Sequence, residues 1–69
     1  MEKYKLSYFI YFRKDDGGPE ISVKDEWLED FMTWDDAWKE LQMKFSKALL
    51  QNMRDHEIKS TGISLHSIY

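Results

Sequence analysis

Hydrophobic and polar residues alternate along residues 4–13, the first patterned segment of the chain. The even-numbered positions are all apolar or aromatic, whereas the odd-numbered positions are polar except for Phe9 and Tyr11. A period of two is typical of a β-strand, whose successive side chains point to opposite faces. We therefore predict a central strand whose even-numbered face covers a core and whose other face carries two aromatic rings.

A sharp reversal of the chain is predicted at residues 15–19, Asp-Asp-Gly-Gly-Pro, because these residue types fix bends or accept positive φ. The chain should then run back beside the first strand as a hairpin. Ile21, Val23 and Trp27 face the same core as the first strand if Ile21 pairs with Phe12 and Val23 pairs with Ile10. Both strands would then contribute to the same apolar face.

Two residues, Pro19 and Asp25, indicate where the second strand lies and where its alternating pattern is interrupted. Pro19 lacks a backbone donor, and its position near the start of the strand predicts that the strand lies at the sheet edge. Asp25 interrupts the apolar alternation opposite Tyr8. A β-bulge, or an early strand end followed by a helical turn through residues 26–32, explains the interruption equally well, so strand, bulge and short helix all stay open for residues 25–32.

A change to spacings of three and four predicts a helix over residues 34–54. Thr33 followed by Asp36 has the form of an N-terminal capping box, with Asp in place of the usual Glu. Apolar residues at these spacings form one stripe along a helix, which should pack onto the sheet. Met43 and Leu50 widen the stripe to one side. The stripe itself consists of Trp34, Ala37, Trp38, Leu41, Phe45, Ala48, Leu49 and Met53.

The last segment alternates again over residues 63–69, after a predicted connection at residues 59–62. If the helix runs back along the hairpin, this third strand lies antiparallel beside the first. The sequence therefore predicts an α+β protein with ββαβ connectivity, a three-stranded antiparallel sheet in the order 2-1-3 and one long amphipathic helix on one face. A chain of 69 residues supports one hydrophobic core. We expect a single domain over residues 1–69, with the hairpin at residues 4–27.

Catalytic and metal-binding chemistry is not indicated by the sequence. The chain has no cysteine, which excludes thiolate ligands, thiol nucleophiles and disulfides. The two histidines are far apart in the sequence. His56 is expected near the helix C-terminus, where its positive charge, when protonated, interacts favourably with the helix dipole, and His66 is expected in the last strand. Asp15 and Asp16 fit turn chemistry better than a calcium loop. We therefore expect no enzyme, no cofactor and no metal site.

The distribution of charge is the most informative functional feature. Residues 25–40 contain seven acidic residues and one basic residue, a net charge of −6, whereas the rest of the chain carries +3. All three tryptophans lie in the same segment. One interpretation is structural, with the tryptophans in the core and the carboxylates solvating a loop and a helix N-terminus. The other is a docking surface, because interfaces favour Trp and acidic fields steer a protein toward basic partners.

The docking interpretation predicts that the partner is a protein with a basic surface, of the kind that otherwise holds nucleic acid. Direct binding of nucleic acid is not expected, because the Lys and Arg residues do not form a clustered face. The predicted partner-binding residues are Trp27, Glu29, Asp30, Trp34, Asp35, Asp36 and Glu40.

A second candidate surface is the open face of the sheet, opposite the helix. Phe9, Tyr11, His66 and Ile68 should lie together there, since one helix covers only one face of three strands. An exposed apolar group of this kind commonly marks a homodimer or a second partner. Alternatively, these rings and the nearby lysines form a stacking platform for a small ligand or nucleic acid.

Small size, the lack of a catalytic set and the acidic, aromatic segment resemble small inhibitors of phages and mobile elements, including anti-CRISPR and anti-restriction proteins. That resemblance implies a non-enzymatic inhibitor. The Asp-Asp-Gly-Gly hairpin and the helix start at Thr33 also resemble the first half of HicB-type antitoxin domains, whose Pro-Gly-Cys segment and DNA-binding region have no counterpart here.

The longest mostly apolar run, residues 6–12, is shorter than the about 20 residues of a membrane-spanning helix. We therefore expect no membrane association and a cytoplasmic location.

Overall fold

A computed structural model describes residues 1–54 and 56–68 of the chain. Three strands and one helix follow each other as β1 (Glu2–Lys14), β2 (Glu20–Phe31), α1 (Trp34–Met53) and β3 (His56–Ile68). The strands form an antiparallel sheet in the order β2-β1-β3, and α1 packs on one face. The predicted ββαβ fold, with the first strand at the centre and the second at an edge, is confirmed.

The register of the hairpin is the one that the alternation predicts. Phe12 pairs with Ile21 and Ile10 pairs with Val23. Paired residues in an antiparallel sheet point to the same face, so these side chains meet beneath the helix. Gly17 occupies the turn with φ of 81°, a conformation that glycine adopts without steric cost.

The core lies between the even-numbered face of β1 and the inner stripe of α1. Leu6 and Ile10 of β1 and Leu41 of α1 are completely buried. Small residues on the helix let it approach the sheet closely, since Ala37 and Ala48 are also buried. The helix is therefore fixed by one face, as its apolar spacing predicts.

Side chains cap both ends of the helix. Thr33 adopts an extended conformation, and its hydroxyl oxygen accepts a hydrogen bond from the backbone N–H of Asp36 at 3.2 Å. At the other end, Nδ1 of His56 donates to the carbonyl oxygen of Asn52 at 2.8 Å. Both contacts satisfy backbone groups that a helix end leaves without an intrahelical partner. The predicted capping role of Thr33 is confirmed.

Of the three possibilities left open for residues 25–32, the structure has the strand, through residue 31, and neither the bulge nor the short helix. β2 continues without a bulge to Phe31, and Asp25 pairs with Tyr8 in an unbroken register. Asp25 is exposed at the edge of the sheet, so its inward-facing carboxylate stays in contact with water. The hairpin consequently extends past the predicted end at residue 27.

The predicted connection at residues 59–62 is also wrong, because these residues belong to β3. This strand begins at His56, and a register shift between Tyr11 and Phe12 of β1 accommodates Lys59 as an extra residue. Ser, Thr and Gly are common in loops, but pairing with the central strand overrides that preference. The predicted end of this strand, residue 69, lies outside the described residues.

Candidate functional site

The end of β2 and the start of α1 bring four carboxylates and two large apolar side chains to one end of the molecule. Only Met32 and Thr33 separate the strand from the helix, so the two elements meet in a tight connection. Asp35 and Asp36 occupy the first helical turn, where negative charge is favoured by the helix dipole. We call this surface the acidic end; it consists of Glu29, Asp30, Met32, Trp34, Asp35 and Asp36.

Trp34 is the exposed aromatic residue of the acidic end. About half of the residue, 48%, is accessible to solvent, while the indole packs edge-on against the ring of Tyr4 at a centroid distance of 5.9 Å. Tyr4 is itself almost fully buried, so it provides a fixed support. Met32 is 73% exposed beside the helix start. The acidic end therefore presents an ordered apolar surface among its charges.

Trp27 has a different role from Trp34. It faces the helix side of the sheet and packs against the core around Leu6. Its indole N–H donates to a carboxylate oxygen of Glu29 at 3.1 Å, and the ammonium group of Lys44 lies 4.8 Å from its ring centroid. These contacts hold Trp27 within the protein and leave Trp34 as the more accessible of the two candidate anchors.

Glu40 does not belong to the acidic end. It follows Trp34 by six residues, which places it roughly 9 Å further along the helix axis at 1.5 Å per residue. Its carboxylate lies 3.9 Å from the ammonium group of Lys44, the residue that covers Trp27. Of the seven predicted partner-binding residues, Glu40 thus lies apart from the acidic end, and Trp27 contacts it only through its hydrogen bond to Glu29.

Asp25 has a local structural partner that the sequence pattern did not reveal. Burial, and then the negative charge of the nearby Asp25 carboxylate, raise the pKa of the Tyr8 phenol. The ring of Tyr8 also packs edge-on against Phe45 of the helix at a centroid distance of 6.0 Å. Asp25 therefore lies close to the polar tip of an aromatic side chain that packs against the core.

The open face carries the four residues predicted for it, but in two separate groups. Phe9 and Tyr11 follow each other along β1, whereas His66 pairs with Lys5 and Ile68 pairs with Lys3 near the other end of the strand. The intervening cross-strand pair is formed by two serines. No continuous aromatic platform therefore joins the two groups, and binding of a partner at either group stays a prediction.

Polar groups on the open face are largely engaged with each other. The hydroxyl of Tyr11 donates to the carboxylate of Glu20, and this hydrogen bond is the main cause that raises the pKa of the Tyr11 phenol. Lys5 lies 2.5 Å from the Glu26 carboxylate, and Arg13 donates to Glu57 at 2.6 Å. Two cations of this face, Lys5 and Arg13, are thus paired with carboxylates, whereas Lys3 and Lys24 form no ion pair within the described residues.

An apolar ridge on the helix was only partly anticipated by the sequence. Met43, Leu50 and Met53 are well exposed on the outer part of α1, and Met43 lies near Ile63 of β3 across a shallow groove. The spacing of Met43 and Leu50 already placed them beside the main stripe. The position of Ile63 beside Met43 could not be predicted from the sequence, because it requires the position of β3.

The described residues contain no group of three or more His, Asp or Glu side chains that could hold a metal ion. His56 packs on the ring of Phe12, and a ring nitrogen of His66 lies 2.8 Å from the hydroxyl of Ser64.

Within residues 1–54 and 56–68, no helix is long and apolar enough to cross a lipid bilayer. No protein-family model matches this chain, and no curated protein or solved structure matches it significantly.

Proposed function

We propose that this protein is a non-enzymatic interaction module whose acidic end binds a basic surface of another protein. The observation that carries the proposal is the exposure of Trp34 and Met32 among four carboxylates at the junction of β2 and α1. Large apolar side chains cost free energy when they remain in water, and interfaces are enriched in Trp and Met. A partner that covers these two residues also meets the surrounding charge.

The fixed position of Trp34 favours it as the anchor. Its ring rests on Tyr4, and its backbone begins a helix that Thr33 caps. A side chain that is already ordered loses little conformational entropy when a partner covers it. Aromatic anchors of this kind contribute a large share of the binding free energy in many interfaces.

The carboxylates of the acidic end are available to a partner. Asp30, Asp35 and Asp36 are exposed, and none of the three forms an ion pair within the described residues. Unpaired carboxylates produce a field that attracts a positively charged protein and accelerates association. This field supports a basic protein surface as the binding partner.

The proposed partner surface is one that otherwise holds nucleic acid, so binding would inhibit the partner by competition. Such a mode of action fits the resemblance to small phage and mobile-element inhibitors of the anti-CRISPR or anti-restriction type. We place this action in the cytoplasm, where nucleic-acid-binding proteins of that kind operate. The alternative, binding of a small ligand or nucleic acid on the open face, is less favoured because Lys5 and Arg13 are already paired with carboxylates.

Capture from a host lysate tests the proposal when wild type and variants are compared side by side. Trp34→Ala should lose most of the captured partner, whereas Leu50→Ala removes an even more exposed apolar side chain elsewhere on the helix and should retain it. With the purified partner, Asp35→Lys together with Asp36→Lys should slow association and reduce its salt dependence. The matched control reverses Asp15 and Asp16, at the opposite end of the hairpin.

Each result has a clear consequence for the proposal. Equal loss of binding in both double reversals would show a general effect of net charge and would contradict a site at the acidic end. Unchanged capture by Trp34→Ala would exclude this ring as the anchor. Retention of the wild type on immobilised nucleic acid, with loss of retention at high salt, would support the open-face alternative instead.

A further inference from the structure

The sheet has two long free edges, which differ in how well they are protected against pairing with a strand of another molecule. β2 and β3 contain 12 and 13 residues, and among residues 1–54 and 56–68 each of them pairs only with β1. A free edge strand presents unpaired N–H and C=O groups that can pair with another strand, and proteins usually protect it with charges, proline or bulges. The two edges can therefore be compared by the residues that each one carries.

The β2 edge is well protected. Pro19 precedes it, and Asp25 and Glu29 point toward the helix side, where inward-facing charge blocks the approach of a second sheet. Two copies of this strand would bring like charges together. The acidic residues of β2 are Glu20, Asp25, Glu26, Glu29 and Asp30, against the single cation Lys24.

The β3 edge lacks such protection over most of its length. Its bulge and its only lysine, Lys59, lie near the start of the strand. Residues 60–68 contain no Asp, Glu, Lys or Arg, and His66 is their one ionisable side chain. This segment can meet an identical copy of itself without repulsion between charges.

An apolar part of the helix lies on the same side of the molecule as the β3 edge. The helix packs more over β1 and β3 than over β2. Met43 is 60% exposed beside Ile63, which is 37% exposed on the helix-facing side of the strand. Ser46 lines the same groove and is small enough to allow close approach. One partner could therefore cover the strand edge and the helix side together.

We propose that two copies of this chain pair through β3 to form a continuous six-stranded sheet. A twofold axis perpendicular to the sheet makes the two β3 strands antiparallel and leaves both helices on one face. Neighbouring strands lie about 4.8 Å apart, so helices placed over β1 and β3 of each copy come to lie roughly 10 Å apart. That separation is within the usual range for packed helices.

A second copy fits this surface because the contact is self-complementary. In a register centred on Ile63, this residue meets Ile63 of the second copy, and Leu65 meets Thr61 of the second copy. Met43 of each helix then approaches the other helix above the joined strands. The acidic ends lie at opposite ends of the six-stranded sheet, so their charges remain far apart.

Sedimentation equilibrium with a pair of matched variants tests the proposal. The wild type should form dimers at micromolar to millimolar concentration. Ile63→Lys puts two ammonium groups opposite each other and should weaken the dimer at least tenfold. Leu28→Lys makes the same kind of change at an exposed apolar residue on the open face of β2, and it should leave the dimer intact.

Cysteine substitution gives a second measurement that does not depend on the stability of the lysine variant. Because the chain has no cysteine, Ile63→Cys introduces the only thiol, which should form an intermolecular disulfide on mild oxidation. Leu28→Cys should not. A wild type that remains monomeric at millimolar concentration would overturn the proposal, as would dimers that Leu28→Lys disrupts and Ile63→Lys does not.

Discussion

The ring of Phe9 in β1 lies directly over Gly62, its cross-strand partner in β3. A methyl group at residue 62 would overlap three carbon atoms of the ring. The glycine thus leaves the space that lets an aromatic side chain lie flat on the open face. Phe9 contributes to pairing of the two strands and is less available to a partner than its position in the sequence indicates.

We expect Gly62→Ala to destabilise the protein by about 1–3 kcal/mol, because the added methyl group displaces the Phe9 ring. In a Phe9→Ala background the same change should be neutral or stabilise by up to about 1 kcal/mol, since alanine restricts the unfolded chain more than glycine does. Chemical denaturation of the four proteins in this double-mutant cycle measures the difference. Equal effects in both backgrounds would contradict the contact.

Two leucines of the same helix should respond very differently to truncation. Leu41 is completely buried, and Leu41→Ala should lower the free energy of unfolding by about 2–5 kcal/mol through loss of burial and creation of a cavity. Leu50 is 70% exposed, so Leu50→Ala should change it by less than about 0.5 kcal/mol. Urea titrations of both variants provide the test, and similar values would mean that the helix packs through another face.

Removal of the Thr33 cap should lower the free energy of unfolding by less than Leu41→Ala does. Thr33→Ala loses the hydroxyl oxygen that accepts from the N–H of Asp36, and we expect a loss of about 1 kcal/mol. Thr33→Ser retains the acceptor and should recover most of that stability. Thermal unfolding followed by circular dichroism measures both variants, and equal melting temperatures for the two would argue against the cap.

The ion pair between Arg13 and Glu57 predicts a local pH dependence. The hydrogen bond from Arg13, followed by that from Lys59, holds the pKa of the Glu57 carboxyl below its ordinary value of 4.5. Because the folded-state pKa is depressed, this contribution to stability is complete above the ordinary pKa and is lost as the pH falls through the folded-state value. An NMR titration of the Glu57 carboxyl should show a midpoint that rises in Arg13→Gln. A midpoint that Arg13→Gln leaves unchanged would contradict the pairing.

Local sequence patterns predicted the β1–β2 register and the helix start well. The alternation of apolar residues places Ile21 opposite Phe12, and the structure has the same pair. Thr33 and the spacing that follows it define the start of α1. In these cases the physical preference acts between residues that are close in sequence or fixed by a tight turn.

The chain that follows the helix was predicted less well, because its conformation depends on a strand far away in sequence. Residues 59–62 have loop-like composition, yet Ser60 to Gly62 pair with β1 from Phe9 to Tyr11 and Lys59 is the extra residue at the register shift. Asp25 interrupts the alternation of β2, and it pairs with Tyr8 of β1, where burial and the charge of Asp25 raise the pKa of the phenol. Both outcomes result from contacts with the central strand that no local window contains.

For the candidate site, the sequence by itself determined that acidic and aromatic residues are concentrated in residues 25–40. Only the tertiary structure decided that Trp27 is held by Glu29 and Lys44 while Trp34 remains exposed. The physical reason is that composition fixes which charges and rings a segment carries. Which of them reach solvent depends on strand register and on the face that the helix turns toward the sheet.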